Sequence, residues 1–443
     1  MGEQIRFEIG QFGCNVAPKF WEKVADSHSI DYQGCQYGYS EIEQTYINKY
    51  FIEGNSGRYI PRTILFDFNT GLQDQLSLSP QSKFFDPDGI IVGDESLGNN
   101  WAKGHYTIGT ELIDIVLERT RKNAEKCDLL GGFEILHSTT GGTGSGFSTL
   151  LFSKLREEYP SNLLTNFCLF NSDMCNALDI YNEILSMHIL IENSDSVIVF
   201  NNDKLTKIYS KQYSNNNSNN FNEENNLIAE YMNELTSTIR FPGLLNTSFR
   251  KLYTNLTLFP RLHFFLPSLC PLSSNKNENS REISEESLIN DLFSNENLLC
   301  NLDITKSDVY FFTLANIFRG DISTYNAETS IKDYVNKHCF KFKEWIPNNV
   351  LTLYCNTPRK NYKRSCVSLA NSNAIRDLTL KLCEKFTIQF RKKSHLHWYL
   401  QEGMDEMEFT EAESNCNDFT SEFIVYTSPG LMGDEEEGGE DEL

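Results

Sequence analysis

The glycine-rich run at residues 137–146, HSTTGGTGSG, contains the residue types that most directly suggest chemistry. It follows an apolar run typical of a strand and precedes a pattern typical of a helix, at 146–158. Glycines let a backbone approach a ligand closely, and the free amides at a helix start attract anions. The run is therefore a candidate phosphate-binding loop, although composition alone fits a structural glycine turn equally well.

This loop belongs to none of the commonest nucleotide motifs. It lacks the lysine that follows the glycines in a Walker loop. It also does not follow the spacing G-x-G-x-x-G of the dinucleotide fold. A second glycine turn begins at Gly10, directly after residues 3–9, whose apolar and polar side chains alternate as in a strand. The sequence thus places a glycine turn after each of two predicted strands.

The elements that position these turns alternate along the chain. Short apolar runs at 64–68, 89–93, 166–170 and 197–200 indicate further strands, and residues 109–125 have the length of a helix. Alternating strands and helices predict an α/β fold with a mostly parallel sheet and helices on both faces over roughly residues 1–200.

The rest of the chain divides by composition and periodicity. A polar run at 210–226 predicts a solvated loop, and apolar residues at helical spacing from Leu227 to Ile239 predict a connecting helix. The predicted organisation is a nucleotide-binding α/β domain at 1–205, a polar loop and central helix at 206–240, an α+β intermediate domain at 241–370, a C-terminal helical region at 371–428 and a disordered acidic tail at 429–443.

Composition excludes several classes of protein. The net charge of −22 repels nucleic-acid backbones, and seven of the last ten residues are acidic. The N-terminal residues contain no apolar run, so we expect neither a leader nor a membrane span, and a cytoplasmic location. Twelve cysteines without a C-x-x-C pair predict reduced, mostly buried thiols rather than a zinc site.

Several motifs, in order along the chain, resemble the tubulin family. They are GQFGCN at 10–15, GNNWAKGHY at 98–106, GGTGSG at 141–146, KLREEYP at 154–160, RFPG at 240–243, EWIPNN at 344–349 and GMDEMEF at 403–409. The resemblance covers essentially the whole chain, and the last two motifs resemble β-tubulin rather than α-tubulin. It implies a nucleotide-binding domain, a central helix, an intermediate domain and two C-terminal helices.

The resemblance also implies a site for GTP or GDP with Mg²⁺. The implied nucleotide contacts are Gly10, Gln11, Phe12, Asn99, Ser138, Gly141, Gly142, Thr143, Gly144, Asp179, Asn202, Phe221 and Asn225. Asn202 and Asn225 match the two residues that hydrogen-bond guanine, and Phe221 stands at the position of a tyrosine that stacks on the base. Asp67 matches an aspartate near the magnesium ion, and Asn69 replaces a glutamate there.

Three further departures from the family concern the phosphate loop and the contacts between subunits. Thr140 replaces the first glycine of the loop and requires an ordinary φ angle. Lys251 stands where α-type chains carry the glutamate that activates water on a neighbour's GTP. Ser280 replaces a ring in the loop that makes lateral contacts.

These observations predict a β-type tubulin that forms a heterodimer with α-tubulin. It would make longitudinal contacts in cytoplasmic microtubules, axonemes or basal bodies. Lateral contacts would depend on the loop in which Ser280 replaces a ring. Its own chain would hold no catalytic residue, since the partner would supply the glutamate, and its tail would bind microtubule-associated proteins or motors. The first alternative is a regulatory or basal-body tubulin outside ordinary lattices. The second is a free-standing nucleotide-dependent enzyme, for which His137 is the candidate base.

Overall fold

The first half of the chain alternates strands and helices. The computed structural model describes residues 2–38, 40–54, 57–79, 81, 83–171, 176–212, 221–243, 248–272, 284–343, 345–360 and 362–427. The strands of this half are β1 Glu3–Ile9, β2 Phe51–Glu53, β3 Tyr59–Pro61, β4 Thr63–Asp67, β5 Ile90–Val92, β6 Leu130–Ser138, β7 Leu163–Phe170 and β8 Ser196–Asn201. Its helices are α1 Gly10–Ser27, α2 Glu41–Gln44, α3 Gly71–Leu78, α4 Ile108–Glu125, α5 Ser148–Glu158, α6 Ala177–Asn193, α7 Asn202–Gln212 and α8 Phe221–Leu235.

The second half is mixed and ends in helices. Its strands are β9 Phe264–Cys270, β10 Phe311–Gly320, β11 Val350–Cys355 and β12 Arg364–Ser372. Its helices are α9 Ser237–Arg240, α10 Phe249–Leu256, α11 Glu285–Leu292, α12 Thr324–Lys337, α13 Ile375–Arg391, α14 His397–Leu400 and α15 Glu406–Thr427. Short 3₁₀ turns cover Ile47–Lys49, Pro87–Gly89 and Cys339–Lys341, and wide π-type turns cover Lys103–Thr107 and Gly142–Phe147.

Among the described residues, ten strands form one sheet in the order β11-β10-β12-β9-β8-β7-β6-β1-β4-β5. The strands from β5 to β9 pair in parallel, whereas β12 runs antiparallel to both of its neighbours. The predicted α/β class with a mostly parallel sheet is confirmed. Because β1, β6, β7 and β8 are parallel, the turns that follow β1, β6 and β8 lie at one edge of the sheet.

Two hydrophobic clusters cover the two faces of this sheet. Successive residues of a strand enter opposite clusters: Val197 and Val199 belong to one, and Ile198 and Phe200 to the other. Both clusters also contain residues of β9 and β12, from the second half of the chain. The sheet and its packing therefore continue across the predicted boundary at residue 241, where the sequence suggested a separate unit.

The polar run at 210–226 contains more helix than predicted. Helix α7 extends to Gln212 and α8 begins at Phe221. Each helix buries an apolar stripe and leaves its polar residues outside; the buried residues include Leu205 and Ile208 in α7 and Leu227 and Ile228 in α8. Residues 213–220 lie outside the described part of the chain. So do 273–283, which include Ser280, and the predicted tail at 429–443.

Eight of the eleven described cysteines are buried, in line with the expectation of mostly buried thiols. None of the described helices combines the length and the apolar composition needed to cross a bilayer.

Candidate nucleotide-binding site

Three loops meet at the carboxyl edge of the sheet. Gly10, with φ of 70°, lies so close to the phosphate loop that a Cβ atom there would be 3.3 Å from the amide nitrogen of Gly144. A Cβ on Gly142 would be 2.6 Å from Cβ of Leu97, and the carboxamide oxygen of Asn99 lies beside Gly141. The structure thus brings together the predicted contacts around Gly10, Asn99 and residues 141–144.

The phosphate loop is fixed by short-range hydrogen bonds. The Ser138 hydroxyl accepts a hydrogen bond from the Thr140 amide at 3.2 Å and lies 2.9 Å from the Thr140 hydroxyl. The positive φ of this loop falls at Gly141, at 83°, and not at Thr140. Threonine therefore occupies its position without backbone strain, as the sequence required. The wide turn Gly142–Phe147 then runs directly into α5, so the backbone amides that are free to bind an anion are those of the first residues of this turn.

His137 lies fully buried beneath this loop. Its Nδ1 is 2.8 Å from the carbonyl oxygen of Gly144, and its Nε2 is 3.0 Å from Sγ of Cys168. Because a carbonyl only accepts, Nδ1 carries the hydrogen, and Nε2 accepts one from the thiol. Burial lowers the pKa of His137 to about 4, so the ring is neutral at neutral pH. Both ring nitrogens are engaged within the protein, an arrangement that disfavours His137 as a general base.

Asn182, which the sequence reasoning missed, links the Asn99 loop to the C-terminal helices. Its carboxamide nitrogen donates to the Asn99 carbonyl at 2.8 Å, and its oxygen accepts from the Trp101 amide at 3.1 Å and from the Tyr399 hydroxyl at 2.7 Å. Asn182 is completely buried in α6. One side chain therefore fixes the backbone of a nucleotide loop against a helix that follows nearly 220 residues later, at α14.

The two predicted metal residues differ in their readiness to bind Mg²⁺. Asp67 ends β4 with 6% of its surface exposed, and the Asn69 and Phe68 amides and the Thr143 hydroxyl favour its charged form. Burial nevertheless raises the pKa of Asp67. The Asn69 oxygen accepts from the Gly71 amide at 3.0 Å, at the start of α3. Asp67 is thus a suitable anchor for a hydrated Mg²⁺ beside the phosphate loop, whereas Asn69 contributes no charge.

A second carboxyl group lies behind Asp179. Asp179 is in the first turn of α6 and hydrogen-bonds Asn176, while burial raises its pKa. Glu183, one turn further along, is 1% exposed, and burial together with the charge of Asp179 raises its pKa well above the usual range. A negative charge on Asp179 therefore adds to the cost of ionising Glu183. Nothing in the sequence indicates that Glu183 is buried.

The two predicted guanine contacts lie on adjacent helices. Asn202 is the first residue of α7, directly after β8, and Asn225 lies in the first turns of α8 with 8% exposure. The helices pack together, and the Thr206 hydroxyl of α7 donates to Glu224 of α8 at 2.8 Å. The side chain of Phe221 lies outside the description.

Lys251 belongs to the opposite edge of the sheet. It is exposed in the first turn of α10, whose N-cap Ser248 accepts from the Lys251 amide at 3.3 Å. The neighbouring Arg250 donates to the carbonyl of Ser161, which lies two residues before the start of β7. The amino ends of the parallel strands therefore carry Lys251, and their carboxyl ends carry the nucleotide loops.

The site defines the class of protein as an α/β nucleotide-binding protein with a glycine-rich phosphate loop at the carboxyl edge of its sheet. The GTPase domain of the Tubulin/FtsZ family matches residues 3–210, and the tubulin C-terminal domain matches residues 260–384. The chain belongs to the tubulin superfamily and is a GTP-binding protein of that family.

Proposed function

We propose that this chain is a β-type tubulin subunit that pairs with an α-type subunit in microtubules or a specialised microtubule structure. The observation that carries the proposal is the placement of the nucleotide loops and Lys251 at opposite edges of one sheet. Subunits stacked head to tail would bring the Lys251 edge of one onto the nucleotide of the next. The β-type assignment is supported by the resemblance of the segments at 344–349 and 403–409.

In this proposal the nucleotide is GTP or GDP, held through its phosphates by the loops at Gly10, Asn99 and 138–144. Asn202 and Asn225 offer both donors and acceptors, which suits the edge of guanine and leaves groups unpaired against adenine. Asp67 anchors the hydrated Mg²⁺. Competition with ATP against labelled GTP tests the base preference, and displacement by ATP at equal concentration would contradict it.

The division of labour in hydrolysis follows from Lys251. A lysine ammonium has no lone pair to accept a proton from water, so this chain leaves the nucleotide of the partner beneath it intact. The GTP bound to this chain is hydrolysed when an α-type subunit supplies a carboxylate. The isolated chain therefore binds GTP and turns it over negligibly.

The test is to purify the heterodimer and to measure GTP and GDP at both sites before and after assembly. Intact partner GTP with the native chain supports the proposal. Lys251→Glu introduces a carboxylate at this edge and is expected to start hydrolysis of the partner's GTP. The matched control is Lys381→Glu, which reverses an exposed charge on α13. Consumption of the partner's GTP by the native protein, or steady GTP turnover by the isolated chain, would overturn the proposal.

A role outside ordinary lattices is favoured by one residue. Ser280 stands where the lateral-contact loop of the family carries a ring, and a buried ring is the usual energetic centre of such a contact. Co-sedimentation with ordinary tubulin through a polymerisation cycle separates the two functions. Incorporation supports a lattice subunit, and exclusion with intact heterodimer formation supports a regulatory one.

A further inference from the structure

Helices α13 and α15 pack against each other through matched polar residues at regular spacing. The hydroxyl oxygens of Thr379 and Thr420 lie 3.0 Å apart, and the Thr387 hydroxyl donates to Glu413. Residue numbers rise along α13 as they fall along α15, so the helices are antiparallel, and the two pairs lie about two turns apart. Cys383 and Cys416 fall midway between these two pairs.

The two thiols face each other across this seam. Their residues are 6% and 0% exposed, and each thiol shifts the pKa of the other. A cysteine sulfur and a threonine hydroxyl are each one bond from Cβ. Helices close enough for the hydroxyls to meet at 3.0 Å therefore also let the two sulfurs meet.

We propose that Cys383 and Cys416 form a covalent modification site, a reversible disulfide made when a small peroxide oxidises the pair. The product would tie α13 to α15, and the proposal does not depend on the nucleotide. Hydrogen peroxide is small enough to reach a buried thiol during brief local opening of the helix pair.

The order of the two steps follows from the effect of each thiol on the other. Interaction with Cys416 lowers the pKa of Cys383, and interaction with Cys383, together with burial, raises the pKa of Cys416. The Cys383 thiolate therefore attacks the peroxide, an S–O bond forms as the O–O bond breaks, and the released hydroxide takes up a proton to become water. The Cys416 sulfur then attacks the sulfenic acid, an S–S bond forms as the S–O bond breaks, and a second water leaves. Two thiols lose two electrons, and the peroxide gains them.

The chain contains an internal comparison. Cys270 and Cys366 are direct partners across β9 and β12, and both are buried. Burial raises the pKa of Cys270 to about 12 and that of Cys366 well above its usual range. Neither thiol of this pair has a lowered pKa, so we expect its oxidation to be at least roughly tenfold slower, given that one pKa unit changes the thiolate fraction about tenfold.

The experiment treats the folded full-length chain with hydrogen peroxide, alkylates the remaining thiols and maps linked peptides by mass spectrometry. We expect a 383–416 link that dithiothreitol reverses and that persists in the Cys270→Ala control. Cys416→Ser is expected to stop at a sulfenic acid on Cys383, which dimedone traps, and Cys383→Ser to give neither product. GTP binding confirms that each variant is folded. Oxidation of other cysteines without this link, faster linking of 270–366, or dimedone on Cys416 in the native chain would overturn the proposal.

Discussion

Replacing Asn182 with alanine tests whether one buried carboxamide fixes the nucleotide loop at Asn99. In Asn182→Ala the Asn99 carbonyl loses its donor, and the Trp101 amide and Tyr399 hydroxyl lose their shared acceptor. The Tyr399 hydroxyl keeps a second acceptor, the Leu178 carbonyl, at 3.2 Å. The buried Trp101 amide has no such second acceptor among the described hydrogen bonds. Losing its hydrogen bond to Asn182 is therefore expected to make the largest contribution to the loss of stability.

The magnitude follows from these contacts. Three hydrogen bonds contribute about 0.5–1.5 kcal/mol each, and a buried amide left without a partner costs about 1–3 kcal/mol. We expect the free energy of unfolding to fall by about 3 kcal/mol. Since Asn99 has a positive φ of 57° and follows Gly98 at 58°, the freed loop gains other conformations. We expect GTP affinity to fall about tenfold, which corresponds to ~1.4 kcal/mol.

The matched control is Tyr399→Phe, which removes one of the three hydrogen bonds and leaves the Asn182 contacts with the loop. Denaturant unfolding gives the stability of each variant, and equilibrium titration with a fluorescent GTP analogue gives its affinity. We expect the control to lose about 1 kcal/mol of stability and to keep its affinity within about twofold. Equal GTP affinity in Asn182→Ala and Tyr399→Phe would refute the reasoning, whatever the loss of stability.

Three further predictions concern single side chains. Cys168→Ala removes the hydrogen bond that Nε2 of His137 accepts and should weaken GTP binding several-fold, about 1 kcal/mol, whereas Cys168→Ser should not. ¹⁵N NMR of His137 reports the hydrogen bonding of Nε2, and an unchanged Nε2 signal in the alanine variant would contradict the assignment. Asn69→Glu should make GTP affinity depend more strongly on Mg²⁺ than in the native chain or in Asn69→Gln, and equal loss on chelation in all three would remove the argument. Burial lowers the pKa of His28 to about 3, below its unfolded value of about 6.5, so its stabilising contribution is complete above pH 6.5 and is lost as pH falls towards 3. Between pH 7 and 5 the native chain should therefore lose about 2 kcal/mol more of its unfolding free energy than His28→Phe, and parallel losses would show that His28 does not titrate in this way.

The parts of the fold that the sequence predicted are those with strong local patterns. The strands predicted at 64–68 and 197–200 differ from β4 and β8 by one residue at each end, because buried parallel strands have short apolar runs with few alternatives. The glycine turns at Gly10 and 137–146 are visible in the sequence because each directly follows a strand pattern, and the resemblance is what indicates a ligand there. The resemblance supplied the family, which the domain matches support, whereas the β-type assignment stays a prediction.

The residues that the sequence did not reveal act through distant contacts. Asn182 lies between Tyr181 and Glu183 on a helix whose pattern gives no sign that its carboxamide meets residues 99 and 399. Cys168 is one of several apolar-looking residues in β7, and only the approach of His137 from β6 gives its thiol a role. The continuation of the sheet from β8 into β9 also has no local signal, because it rests on two register pairs, Val197 with Phe264 and Ile198 with Phe265, whose members are 67 residues apart.

The pairing of β8 with β9 has a consequence for the order in which the chain can be completed during synthesis. When residues 1–205 have emerged from the ribosome, β8 has its partner β7 but presents an open row of amide and carbonyl groups on its other side. The apolar residues on both faces near that edge also lack their packing partners until Phe264, Phe265 and the residues of β12 have been synthesised. We expect the newly made first half to be prone to aggregation until the second half is added, although it already contains every glycine of the nucleotide loops.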